Sequence, residues 1–180
     1  GFGVFQEGMD ILRIYLREHG EVDHRNLLAV EQEFRLPVVG FDVLGYIDRV
    51  DRVDDETIAV VDYKSNRLIF TREEVDADLQ LTVYLMAARQ LWPWAKRVQL
   101  FFHLLRHGIR METERSEEQL ATARDYIVSL AEQTEKATEY PPRLNPNCIY
   151  CDHRRQCSAY QDALTGKVET VCEDPKDLKT

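Results

Sequence analysis

The sequence predicts an α/β domain: a mixed central β-sheet flanked by helices. Three observations carry that reading. Apolar runs of strand length and stretches of helical period follow the order helix, three strands, helix, two strands, helix. A short acidic segment, Arg52-Val53-Asp54-Asp55-Glu56-Thr57, separates two of the strands and reads as a hairpin turn. A long helical stretch then separates the first three strands from the last two, an order that gives an α/β layer with a mixed sheet.

The elements follow in order. Met9 to His19 is apolar at Met9, Ile11, Leu12, Tyr15 and Leu16, a short amphipathic helix ended by Gly20. Leu27 to Val39 reads as a first strand carrying Glu31 and Glu33. Phe41 to Val53 and Thr57 to Ser65 form the hairpin. Glu73 to Leu91 reads as one helix, with Val75, Leu79, Val83, Met86 and Leu91 on its core face and Pro93 beyond its end. Arg97 to Arg106 and Ile109 to Arg115 read as two strands turning at His107-Gly108. Ser116, with Glu118 and Gln119, caps a long helix running to Ala137.

One strand ends in a way that core packing does not explain. Ile58-Ala59-Val60-Val61 reads as a buried run, yet it continues into Asp62-Tyr63-Lys64. Residues two apart share a strand face, so Asp62 and Lys64 point into the same space. A turn centred on Asp55 places Asp48 opposite Asp62 on that face. Two carboxylates and a lysine converging on one point are the minimum equipment for metal-assisted phosphodiester hydrolysis. A cross-strand salt bridge is the plainer alternative, but a buried charge is costly unless paired or coordinated.

The Gly45-Tyr46-Ile47-Asp48-Arg49-Val50-Asp51 string, the acidic turn and Val61-Asp62-Tyr63-Lys64-Ser65 closely resemble the central motifs of the PD-(D/E)XK nuclease superfamily. The nearest branch is similar to the RecB-type exonucleases, including the AddB nuclease domain and CRISPR-associated RecB-like exonucleases. Gln80-Leu81-Thr82-Val83-Tyr84 resembles that branch's Gln-x-x-x-Tyr helix motif, and Cys148-x2-Cys151-x5-Cys157 the C-terminal part of its iron–sulfur ligand set. The resemblance runs from about Glu31 to Cys157 and implies a restriction-endonuclease-like core. The branch carries a metal-binding His on a helix before the first strand, and a first Cys further upstream. Here the chain opens at Gly1-Phe2-Gly3 with neither, and His19 and His24 lie in the wrong context. The resemblance therefore implies an excised domain or a fragment whose front portion is missing.

On this reading Asp48 and Asp62 ligate Mg²⁺ or Mn²⁺, with the Tyr63 carbonyl as a further ligand and water and phosphate oxygen completing the octahedron. Lys64 orients the attacking water and offsets transition-state charge. Gln80 and Tyr84, one helical turn apart, hold the substrate backbone; read without the resemblance, Tyr84 is a core aromatic and Gln80 a solvated polar residue. Glu31 or Glu33 reaches the site from the first strand, Glu33 being assigned to substrate binding. Cys148, Cys151 and Cys157 need a fourth ligand. The resemblance implies a 4Fe–4S cluster, with Cys172 as the fourth ligand this chain offers. The residues themselves leave zinc, with His153, or free thiols open.

Composition bounds the function. At 180 residues and 44% hydrophobic content the chain suits one globular core, and it has no apolar run of membrane-spanning length and no secretory pattern. The resemblance implies DNA, single-stranded or with free ends, as partner, together with a larger DNA-processing assembly; no membrane partner and a cytoplasmic location are expected. The net charge of −9 is unusual for a protein that grips a polyanion. Basic residues gather locally at Lys64-Arg67-Arg72, Lys96-Arg97, Arg106-His107-Arg110 and His153-Arg154-Arg155. The organisation expected is a nuclease core over 1–140, a Cys-rich metal-binding segment over 141–164 and a polar tail over 165–180. The function expected is a Mg²⁺/Mn²⁺-dependent DNA exonuclease of repair, recombination or CRISPR-type processing. The alternative is an inactive DNA-binding scaffold within a helicase–nuclease assembly.

Overall fold

The computed structural model describes residues 2–19 and 24–166. The described chain contains helix α1 (Phe2–His19), strands β1 (Leu27–Val38), β2 (Phe41–Arg52) and β3 (Thr57–Lys64), helices α2 (Arg72–Asp76) and α3 (Leu79–Leu91), strands β4 (Arg97–Leu104) and β5 (Ile109–Thr113), and helices α4 (Glu117–Lys136) and α5 (Ser158–Leu164). The strands form one sheet in the order β1-β2-β3-β4-β5. β3 and β4 pair in parallel and the other neighbours antiparallel, so the sheet is mixed as expected. The hairpin register is also the expected one: Arg49 faces Val61 and Val50 faces Val60. The chain divides into two compact units, Gly1–Thr134 and Glu135–Thr180.

β3 is the central strand, and every residue from Thr57 to Asp62 is buried. α3 covers one face of the sheet. It is itself buried from Leu81 to Ala88, which is why its sequence is apolar on nearly all sides rather than along one stripe. α1 lies on the other face, where the Tyr15 ring packs against Tyr63 and His103 at 5.8 and 5.6 Å between ring centroids.

Two elements depart from expectation. α1 begins at Phe2, seven residues before the expected start at Met9. The single helix expected from Glu73 to Leu91 is two helices. Thr71 closes a capping box with Glu74 on α2, and the chain restarts at Asp78, whose carboxylate accepts from the Leu81 amide at 2.7 Å. The carbonyls exposed at this break are taken by buried Arg115, which donates to Val75 O (2.9 Å) and Asp78 O (3.0 Å) and also to the Thr82 hydroxyl (2.7 Å). One guanidinium thus satisfies three acceptors at the junction, a demand no local pattern announces. The cap of α4 is as expected, with Ser116 and Gln119 exchanging backbone and side-chain hydrogen bonds.

Gly45 has a packing reason. A β-carbon there would lie 2.6 Å from Cζ of Phe34, a buried ring that meets Tyr84 edge-on at 5.9 Å. Gly45→Ala should therefore destabilise the fold by about 1–3 kcal/mol through overpacking. Urea titration measures this, and an unchanged midpoint would show that the Phe34 ring moves freely aside.

Candidate active site

The site forms where the central strand runs out of apolar residues. Asp62, Lys64 and Val60 share one face of β3, and α3 lies over it. Asp62 is only 2% exposed. The Lys64 ammonium sits 2.7 Å from Asp62 Oδ2 as an ion pair and also donates to Gln80 Oε1 at 2.6 Å. Oδ2 is thus a deeply buried carboxylate oxygen whose charge is met by Lys64. Gln80 passes the chain of contacts on, donating from Nε2 to the Tyr84 hydroxyl at 2.9 Å.

Asp48 arrives from β2 and accepts the Tyr63 amide at 2.8 Å, which pins it beside the end of β3. Burial pushes the Asp62 carboxyl from its ordinary 3.8 up to about 6; Lys64 opposes the rise, and the nearby charges of Asp48 and Asp78 add to it. Burial, with the charge of Asp62 beside it, pushes the Tyr84 phenol up to about 12, so it stays a neutral donor. Asp48 and Glu31 add to that effect, which places Glu31 among the acids acting on this face.

Glu31 has a left-handed backbone, φ +48°. It falls where the burial alternation of β1 changes phase, from Leu27 and Ala29 to Phe34, Leu36 and Val38. Glu33, exposed like Glu31, accepts a 3.4 Å contact from Tyr46, its register partner. Of the two glutamates, Glu31 is the one whose charge reaches Tyr84.

The reverse face holds the strand end in place, and sequence reasoning missed it. Tyr63 points away from Asp62, and its hydroxyl lies 3.1 Å from that of Tyr15. Arg49 donates to both oxygens of Asp51 (3.0 and 2.8 Å) and to the Tyr15 hydroxyl (3.4 Å). Arg49 and Asp51 belong to the motif string but serve the opposite side of the sheet from Asp48. Strand alternation alone signals that much.

The donor set fits a hard divalent cation. Asp62 offers a buried carboxylate paired with Lys64, Asp48 lies beside it, and one or two carboxylates suffice for Mg²⁺. The metal site expected at the cysteines is not shown by the structure. Among the described residues no group of three His, Cys, Asp or Glu side chains is placed to hold a metal ion. Cys148, Cys151 and Cys157 are free thiols, and Cys148 Sγ accepts from the Asn145 amide at 3.3 Å as part of a local turn cap. That turn satisfies its own backbone without gathering the three sulfurs. Cys172 lies outside the described residues.

The family model of the PD-(D/E)XK nuclease superfamily matches residues 6–158. The chain belongs to the PD-(D/E)XK nuclease superfamily. Its nucleases generally use Mg²⁺ or Mn²⁺. The crystal structure of SSO0001 resembles this chain with a TM-score of 0.51 and 24% identity, over 84% of this chain and 69% of that one. That likeness speaks for the fold alone. No curated protein matches the chain significantly. Among the described residues no helix is long and apolar enough to cross a membrane.

The folded Asp62 carboxyl titrates above its unfolded value, so metal-free protein loses stability as pH rises from about 4 through 6, by about 3 kcal/mol in all. Asp62→Asn should remove that dependence and raise the metal-free melting temperature at pH 8. Mn²⁺ should raise the melting temperature of the wild type and not of this variant. Thermal melts across pH with and without Mn²⁺ decide it. Glu31→Gly relieves a left-handed backbone, which costs about 1–2 kcal/mol for a residue with a β-carbon. Melting temperature should hold or rise while metal-dependent cleavage falls; equal cleavage would remove Glu31 from the site.

Proposed function

We propose that this chain is a metal-dependent deoxyribonuclease of the RecB-type branch that digests single-stranded or unwinding DNA from free ends. The observation that carries the reading is the buried Asp62 carboxylate, which lies beside Asp48 with the Lys64 ammonium 2.7 Å from its Oδ2. A carboxylate kept buried against its solvation cost needs a use, and coordination is the one that Asp48 and Lys64 together serve.

In this proposal Asp48, Asp62 and the Tyr63 carbonyl hold one or more Mg²⁺ or Mn²⁺ ions. The bound ion would polarise the phosphodiester and lower the pKa of its water. Lys64, held by Gln80 and by the charge of Asp62, directs its N–H groups at the attacking water and the developing phosphorane charge. The neutral Tyr84 hydroxyl and Gln80 position the substrate backbone. Membership in a larger DNA-processing assembly agrees with the strongly acidic composition.

The test is digestion of end-labelled single-stranded DNA and of a covalently closed single-stranded circle. The wild type should degrade the linear strand with Mg²⁺ or Mn²⁺ and spare the circle. Asp62→Asn and Lys64→Ala should each slow cleavage by about 100-fold or more, since each removes preorganised charge at the reacting centre. Cleavage of the circle would overturn the exonuclease assignment. Near-normal cleavage by Lys64→Ala under saturating metal would overturn the role given to the lysine.

A further inference from the structure

Immediately after Lys64 the chain turns through Ser65, Asn66 and Arg67, and this turn is tied to the end of β4. Arg106 donates from Nε to Ser65 O at 2.6 Å, and the His107 ring hydrogen-bonds Arg67 O at 3.0 Å. The side chains of Arg67 and Arg106 then converge on a single atom. Glu7 of α1 accepts Arg106 Nη1 at 2.5 Å and Arg67 Nη2 at 3.2 Å, both on Oε1. The Arg106 guanidinium holds the Glu7 carboxyl below its ordinary range. An open cleft of about 650 Å³ runs past these groups, bounded by Gly3, Val4, Glu7, Asp10, Arg67 and Arg106.

We propose that Arg67 and Arg106 form a phosphate seat for the substrate strand next to the cleaved position, and that Glu7 occupies this seat until a phosphodiester displaces it. The proposal rests on the nuclease reading above and adds where the strand goes. Arg67 is three positions beyond Lys64, so at most about 10 Å of backbone links it to the strand end that carries the catalytic lysine. Guanidinium pairs match carboxylate and phosphate oxygens alike, which makes a carboxylate the natural occupant in the absence of substrate. Two guanidiniums against one carboxylate leave one positive charge in excess, in a chain whose net charge is −9. Asp10, the other acid of the cleft, is neutralised by Arg13 at 2.7 Å. Arg67 is more than half exposed and reaches Glu7 from the rim, so its removal leaves the core untouched.

The experiment measures binding of a labelled oligothymidylate in EDTA by fluorescence anisotropy, over about 50 to 200 mM salt. Arg67→Ala should weaken binding and reduce the magnitude of the log–log salt slope by about 0.7, one phosphate contact on a single strand. Glu7→Gln should bind several times more tightly than the wild type at the same salt. Arg106→Ala should weaken binding as well; because it also frees Ser65 O, Arg67→Ala is the deciding variant. Wild-type protein that binds no strand, an unchanged slope in Arg67→Ala, or no gain in Glu7→Gln overturns the seat. Because no metal is present, these outcomes are independent of cleavage. Loss of the nuclease reading would show instead as intact, salt-sensitive binding by a wild type that cleaves nothing with Mg²⁺ or Mn²⁺.

Discussion

A carboxylate buried at the end of the central strand is the constraint on which this molecule turns. β3 is covered on both faces, and a strand in that position is ordinarily apolar throughout. Placing Asp62 there costs stability, and the neighbourhood is arranged to contain that cost without removing it. Lys64 supplies the charge, Gln80 and Tyr84 hold Lys64 from α3, and the Phe34 ring backs Tyr84. Gly45 leaves the space that Phe34 fills. A run of side chains from β2 through β1 and α3 thus supports one oxygen atom. A carboxylate offers about four lone-pair sites, so the pairing with Lys64 leaves acceptor capacity for a cation.

The reverse face does complementary work. Tyr63 lies between the acidic and basic residues of the strand end and points the other way, into Tyr15, Arg49 and the buried His103. The backbone of the same residue holds Asp48. A single strand end therefore fixes the carboxylate partner through its amide and is itself fixed through its side chain. Arg115 plays the equivalent part for α3, since it seals the break before the helix that delivers Gln80 and Tyr84.

The acidic composition and the nuclease chemistry are reconciled by locality. At physiological salt, charges further apart than about 8 Å are largely screened, so the few cations at the ends of β3 and β4 count for more than the total charge. Arg67, Arg106 and Lys64 sit in that region. The C-terminal unit contributes a capped turn and a short helix, with three free thiols.

Much of the fold and of the site is legible in the amino-acid sequence alone. The hairpin register follows from the turn composition because an antiparallel pair with a short turn has one register that keeps its apolar face inward. Asp48, Asp62 and Lys64 come together for that reason, and the mixed sheet follows from the helical stretch between β3 and β4. What depends on contacts distant in sequence stays hidden. Arg115 closes a helix break about forty residues away, Glu7 meets Arg106 ninety-nine residues away, and Tyr15 meets Tyr63 forty-eight away. The left-handed backbone at Glu31 is likewise something no alternation pattern encodes. The cysteines show the converse, because spacing suggests a metal but only the folded path of the chain decides whether sulfurs meet. Periodicity reports which face a residue takes. Which distant side chain waits on that face is settled only when the sheet and helices close around a common core.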